Sequence, residues 1–480
     1  MMSQNKTVKG TIWSMIERVS TMGVQLLCTL VIAQYLAPSE FGLISMMSIF
    51  MAFSTILVDA GFGQALIREK NVTSVDYSSV FFFNILIGIV VYCFFFILAP
   101  YIADFYNEER LRALVRISFF TIVIQSFSVV QQAQLYKSIN FSRVSKVSLI
   151  SVIVSGVLGI IVAILYQNVW ALVVQTISFA LFRTILLWVF STWTPRANFS
   201  WNSVQKYLKF SLNLLGTNII AAITDNLANL FIGKAYSSSV LGNYTIPNKL
   251  QTSVAGTISF SIHRVSYPIM VTFQDDNERL KEYSQKVVGM AFFIISPIML
   301  LLCIISKDLF SILLPSAWTE APIYFRYMCV IGSIYCFADI NMDILLIKGN
   351  SNLVFRLEVV RKIVLVSCLL IGIAYSIETL LMLLVGYNVF NMMLVSYYAG
   401  KSINCSLGYQ LKKNINTLVA LLIVGVLCYI LNNIATLLVL RLLLIPLLGI
   451  VLYIGISFIQ KGLYIKYLAE IVANTKNTKK

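Results

Sequence analysis

Imidazole is nearly absent from this chain: His263 is the one histidine in 480 residues. Eight cysteines (Cys28, Cys93, Cys303, Cys329, Cys336, Cys368, Cys405 and Cys428) are scattered without paired ligand spacing. A zinc or haem site therefore has almost no ligands to draw on, and the cysteines read as small buried hydrophobes. Charge is scarce as well, at 12% against 59% hydrophobic residues. That balance argues against a soluble domain of this length, because so much apolar surface needs lipid to cover it. The chain has no Walker loop, dinucleotide fingerprint or zinc signature, so neither direct ATP drive nor a metal cofactor is expected. No cleavable signal stands out, since the first apolar stretch is too long and lacks a small-residue cleavage site. Nor is any connection long enough for a soluble catalytic domain. No catalytic residues are assigned, and function is expected within the apolar segments themselves.

Those segments fall at about 11–36, 41–63, 80–102, 113–135, 147–166, 169–192, 207–233, 240–262, 287–306, 322–347, 354–377, 379–400, 414–433 and 436–460. Each approaches the ~20 residues that cross ~30 Å of hydrocarbon as a helix with its backbone bonds closed internally. The expectation is an all-α polytopic membrane protein of about fourteen transmembrane helices. The first two form a hairpin, joined by the residues Ala37–Pro38–Ser39–Glu40.

Lysine and arginine in the connections set sidedness. The side bearing the N-terminus collects 26 of them, and the opposite side six. Both termini are thus expected in the cytoplasm. The net charge of +16 is accounted for by a basic inner face against anionic membrane lipid, without nucleic acid. Segment 193–206 is expected as an amphipathic piece on that surface, with Trp193, Phe199 and Trp201 at headgroup depth. Segment 263–286 is expected as a solvated, charge-rich connection.

An internal repeat is visible at an offset near two hundred residues. Gly42 falls on Gly242 and Ser39 on Ser239, Lys137 on Lys348, and Gly159 on Gly372, always in the same order. An even number of spans separates the copies, so two parallel six-helix halves are expected, related by a pseudo-two-fold axis along the membrane normal. Transporters with such halves bind substrate between them and rock one against the other. The expected divisions are an N-terminal lobe 1–192, a cytoplasmic linker 193–206, a C-terminal lobe 207–400, and two additional helices with a tail, 401–480.

Charges inside the spans are the candidate functional residues, because each costs about 2.5–3.5 kcal/mol at mid-membrane unless it meets a partner or a wet cavity. Arg18 offers a five-donor fork suited to a diphosphate or carboxylate. The alternatives are pairing with a carboxylate as structural glue, or reaching to the interface. Adjacent Glu17 is an imperfect partner because neighbouring helix positions face apart. Lys249, two residues beyond Pro247, could meet an anionic substrate or Asp225 in the preceding span. Pro247 removes a backbone bond and invites a kink. Asp339 and Asp343, four apart on one helix face, could bind a proton or cation, or be compensated by Arg326 or water. Asp59 is expected to position an inner turn, and Gly42 and Gly242 to serve gating or close packing.

The phrases TVKGTIW (7–13), YLAPSEFGLI (35–44), DAGFGQALIR (59–68), APYIADFYN (99–107), IGKAYSSSVLGNY (232–244) and IKGNSNLVFRLE (347–358) give the chain a family likeness. It resembles the polysaccharide exporter or lipopolysaccharide flippase family of the multidrug, oligosaccharidyl-lipid and polysaccharide exporter superfamily, over about residues 7–412. The resemblance implies a secondary transporter in the bacterial cytoplasmic membrane. Its implied cargo is an undecaprenyl-pyrophosphate-linked glycan, moved between leaflets under a proton or sodium gradient. It also implies a monomer working beside a polysaccharide polymerase and export machinery, with Arg18 and Lys249 at basic or polar cavity positions. The stretch PNKLQ (247–251) departs from the arginine-containing pattern of relatives. A cation-coupled drug or metabolite antiporter, and a membrane polymerase or ligase, are the competing readings; the short outer loops weigh against an enzyme.

The charge bias makes a direct prediction. In a cysteine-free background, a cysteine at position 275 should resist an impermeant thiol reagent added outside intact spheroplasts and react once they are permeabilised. Labelling from outside would invert the topology.

Overall fold

The computed structural model describes the backbone of residues 2–138 and 140–460, with their side chains except those of residues 2–17, Lys209 and Asn213. Among the described residues every regular element is a helix. The chain divides into two compact units, Met1–Thr245 and Ile246–Lys480.

Unit 1 contains α1 (Met2–Ala33), α2 (Pro38–Asp59), α3 (Phe62–Arg68), α4 (Ser74–Tyr106), α5 (Arg110–Ser118), α6 (Phe120–Ser126), α7 (Val129–Lys137), α8 (Phe141–Tyr166), α9 (Trp170–Phe190), α10 (Trp201–Ala235) and the start of α11 (Ser238–Gln251). In unit 2, α11 gives way to a π-helical turn, Thr252–Gly256. It is followed by α12 (Thr257–Thr272), α13 (Asn277–Ile304), α14 (Ser306–Leu313), α15 (Ala321–Ile347), α16 (Ser351–Tyr375), α17 (Ile377–Ser402), α18 (Leu407–Lys413), α19 (Ile415–Ile434), a second π turn (Leu440–Leu444) and α20 (Ile445–Ile459).

Among the described residues, ten helical segments are long and apolar enough to cross a membrane, or eleven if α5–α6 and α7, which meet at 44°, count as one broken span. The other three of the fourteen expected segments are also helical, and each is shorter or carries more polar load. The described side chains of α1 give only a shorter apolar helix, Arg18–Ala33. The α11–α12 stretch carries Pro247, Lys249, His263 and Arg264, and α16 carries Arg356, Glu358, Arg361 and Lys362 in its first half. Outward-facing side chains such as Leu86, Ile97, Val189, Leu422 and Phe458 are more than half exposed, the condition expected where lipid replaces water. This is a multi-pass membrane protein.

Two expectations about connections change. Residues 192–200 contain no amphipathic helix. They run irregularly along the start of α4, because the Ser78 and Ser79 hydroxyls accept from the backbone N–H groups of Arg196 and Ser200 at 3.1 and 2.9 Å. Trp193 there packs against Phe81 and Tyr77, and residues from Trp201 onward already belong to α10. The 263–286 connection is mostly helix as well, leaving only residues 273–276 between α12 and α13. Its charges pair along the helix, as in Lys286–Glu282 at 2.8 Å, and Asp276 caps α13 by accepting from the Arg279 N–H. Helices α19 and α20 are built into unit 2: Phe293 and Leu301 of α13 share a buried cluster with Val424, Cys428, Ile445 and Tyr453. Arg441 also reaches Asp308 at 3.3 Å.

The interior of unit 1 is tied at one end by Glu40. Its carboxylate accepts from Arg110 at 2.9 Å and from the Val169 backbone N–H at 2.7 Å. It thereby satisfies a donor at the start of α9, where a negative charge is favourable. Glu40→Ala should lower stability by about 1–3 kcal/mol through the orphaned buried N–H. Glu40→Gln should cost less, because an acceptor remains. Thermal unfolding of the purified variants in detergent decides between these outcomes.

Candidate functional site

The repeat positions do equivalent physical work. Helices α2 and α11 cross so closely that a Cβ on Gly42 would lie 1.7 Å from the Ser238 carbonyl oxygen, and one on Gly242 would lie 1.8 Å from that of Pro38. Only glycine fits either position. One turn on, the Thr245 hydroxyl donates to Ser45 at 2.9 Å. The contact is reciprocal at an offset of two hundred residues: 38 with 242, 42 with 238, 45 with 245. Elsewhere, Lys137 donates to the carbonyls of Leu66 and Glu69 around the end of α3, and Lys348 to that of Gln274 just past α12. Gly159 seats α8 on α9 at Gln175, and Gly372 seats α16 on α17 at Leu380.

Arg18 and Asp225 lie exposed on α1 and α10, and neither is without a partner. The side chain of Glu17 lies outside the described residues. Asp59 ends α2, where its carboxylate accepts from the Gly63 N–H across the turn into α3. That turn is forced by Ala60 and Gly61, both at positive φ (41° and 75°). Asp59 also faces an open cavity of about 350 Å3 lined by α2, α3, α6, α7 and α9. Gln64, Gln125, Gln132, Tyr136 and Arg183 share its polar wall with the hydroxyls of Thr55, Ser128 and Thr184. The cavity sits against the α6–α7 break, whose freed carbonyls are taken up locally: Thr184 and Trp188 of α9 donate to Ile124 and Phe127 at 3.2 and 2.8 Å, and Ser128 donates to Gln125 at 2.8 Å. Irregular backbone at membrane depth persists only where it is so buried or lines a cavity.

In unit 2, Pro247 is buried inside α11 and leaves it helical, while the π turn follows five residues later. Such π segments often mark functional positions. Lys249 is half-buried and, like Arg18, has a partner. The principal charged cluster joins α12, α15 and α16. His263 Nε2 lies 3.0 Å from Asp343 Oδ1. Asp343 itself is only 5% exposed, and its second oxygen is buried without a hydrogen bond to any described residue. Asp339 accepts from Tyr335 one turn away and lies in the field of Arg361, which pairs with Glu358 and bonds Tyr387. The compensation expected from Arg326 does not occur, since Arg326 donates to Ser306 instead, at 3.0 Å.

Two cationic residues stand outside both the loops and the candidate set. The loop tally of 26 and six, with Arg18 and Lys249, leaves Arg183 and Arg441 out of 36 lysines and arginines. Such a remainder inside apolar runs is itself a signal. The sequence offers His263 only as a metal ligand, because nothing in one dimension places it beside Asp343.

His263→Ala strands a buried carboxylate, whereas His263→Ala with Asp343→Asn removes both ends of the pair. The double variant should therefore be more stable than the single histidine variant, with a coupling of about 0.5–3 kcal/mol. A thermal-unfolding cycle that proves additive would show the contact to be energetically silent.

Comparison with known proteins agrees with the geometry. The family model described as polysaccharide biosynthesis protein matches residues 31–322. An uncharacterized membrane protein in the cps region of Klebsiella pneumoniae is 25% identical over 370 residues, 76% of each chain. The lipopolysaccharide biosynthesis protein WzxC of Escherichia coli is 22% identical over 374 residues, 78% of this chain and 76% of that one. In fold, the chain is similar to the lipid II flippase MurJ in an inward closed conformation, with a TM-score of 0.75 at 14% identity, over 94% of this chain and 98% of that one. The chain belongs to the polysaccharide biosynthesis protein family.

Proposed function

We propose that the protein is a flippase that carries an undecaprenyl-pyrophosphate-linked oligosaccharide from the inner to the outer leaflet of a bacterial cytoplasmic membrane. In this reading the chain crosses the membrane fourteen times with both termini in the cytoplasm, and alternates in access under a proton or sodium gradient. The observation that carries it is the family match over residues 31–322, in a chain whose helices bring polar side chains into an otherwise apolar body. A lipid-linked glycan poses the same problem as those side chains: a polar head must cross hydrocarbon while its tail stays there.

Within this scheme Arg18 and Lys249 contact the phosphates, supported by Asp225, with Glu17 and Asp59 structural. Gly42, Gly242 and Pro247 shape the moving helices. Asp339 and Asp343 carry the coupling ion. The partnership of Asp343 with His263 at 3.0 Å favours a proton, because an imidazole can take up and release one beside the carboxylate. Polysaccharide polymerase and export machinery are the expected downstream partners of a protein working as a monomer, with anionic lipid against its basic face.

Proteoliposomes holding lipid-linked oligosaccharide in both leaflets test the reading. A pH gradient should raise the fraction accessible to an external glycan-modifying enzyme. Arg18→Ala should abolish the rise, and Arg18→Lys should restore it only in part, since the planar fork is lost. Gradient-driven efflux of small cations without glycan transfer would favour the antiporter, and glycan chain growth without transfer would favour an enzyme.

A further inference from the structure

The cavity in unit 1 has a composition that none of the proposed phosphate or ion contacts requires. Its polar wall combines one carboxylate, Asp59, one guanidinium, Arg183, and the three amides of Gln64, Gln125 and Gln132. The formal charges cancel. A diphosphate would need an excess of cationic donors, and a bare cation an excess of carboxylate, so neither suits this pocket. Amides offer both donors and acceptors, and no described residue hydrogen-bonds to the side chains of these three glutamines. Their hydrogen-bonding capacity is thus available to a ligand with many hydroxyls, each of which also donates and accepts.

Two further features point the same way. The Phe179 and Tyr136 rings also line the cavity, and the Arg183 guanidinium lies 5.9 Å from the centre of the Phe179 ring. An aromatic face is what the apolar side of a pyranose packs against. The volume of about 350 Å3 is at the lower end of the ~300–1,000 Å3 range of small-molecule sites. It has room for a sugar residue. The site also lies on the one bent pair of spans among the described residues, and discontinuous helices are where transporters place their binding groups.

We propose that this cavity is a sugar-binding site that recognises a neutral glycosyl residue of the cargo head group through Asp59, Gln64, Gln125, Gln132 and Arg183. The proposal rests on the flippase reading above and adds to it where glycan selectivity is encoded.

The test compares two lipids on the full-length protein in nanodiscs: bare undecaprenyl pyrophosphate, and the same lipid bearing the oligosaccharide isolated from the producing strain. In the wild type the sugar-bearing lipid should bind at least about tenfold more tightly, the equivalent of two or three net hydrogen bonds. In Gln64→Ala/Gln125→Ala/Gln132→Ala that advantage should vanish while binding of the bare lipid is unchanged. A general folding defect would weaken both lipids together. If the triple variant is not monodisperse, the single changes Gln125→Ala and Gln132→Ala decide, each expected to remove several-fold of the advantage. A sugar advantage that persists in well-folded variants overturns the cavity assignment and leaves the flippase reading intact. No sugar advantage in the wild type, together with no transfer in proteoliposomes, overturns both.

Discussion

Hydrocarbon offers a polar group no partner, and the structure is arranged around that fact. Where the chain breaks a helix, as between α6 and α7, the loosened carbonyls are met by Thr184 and Trp188 of a neighbouring helix. Where a helix begins at the edge of the apolar zone, a carboxylate from another element supplies the acceptor, as Glu40 does for Val169. Where a short helix or turn ends, a lysine amine covers the carbonyls, as Lys137 and Lys348 do. An unmet polar group costs about 1–3 kcal/mol, a sizeable part of a typical net stability of about 5–15 kcal/mol. Polar side chains are therefore the architectural elements here, and the abundant leucines and isoleucines fill space between them.

That constraint explains what could be read before any fold was known. Apolar run length and composition depend on local sequence alone, so helical segments are found at all the intervals marked for them. Hydropathy locates a helix without saying whether it stays intact: nothing at Ser126–Ser128 announces a 44° bend, because no proline or glycine occurs there. The opposite error arose at 263–286, where alternating charges that pair along a helix resemble a solvated loop in one dimension. Residues 193–200 depart from expectation for a third reason. Their aromatic residues look like a membrane-surface helix, but the hydroxyls that hold the irregular path belong to α4, more than a hundred residues earlier.

Among the candidate residues, those defined by repetition were the most legible. The offset near two hundred brought out Gly42, Gly242, Lys137, Lys348, Gly159 and Gly372, and each pair meets the same physical demand in its own setting. Residues whose meaning depends on partners were legible only in part. Asp343 stood out as a buried charge, while its partner His263, eighty residues away, did not. The cavity glutamines were invisible for the same reason: an amide in an apolar run has no distinguishing neighbour until the five helices that line the cavity come together.

The reciprocal crossing of α2 and α11 reaches beyond packing into inheritance. If the two copies arose by duplication, most positions have been free to diverge, since each copy answers to its own surroundings. Positions 42 and 242 are not, because each glycine makes room for the other copy's backbone carbonyl. A side chain gained at either site displaces both helices at once, and no second change at the other site can restore the space. The pair therefore behaves as one locus written twice, and it should be the last trace of the ancestral symmetry to be erased.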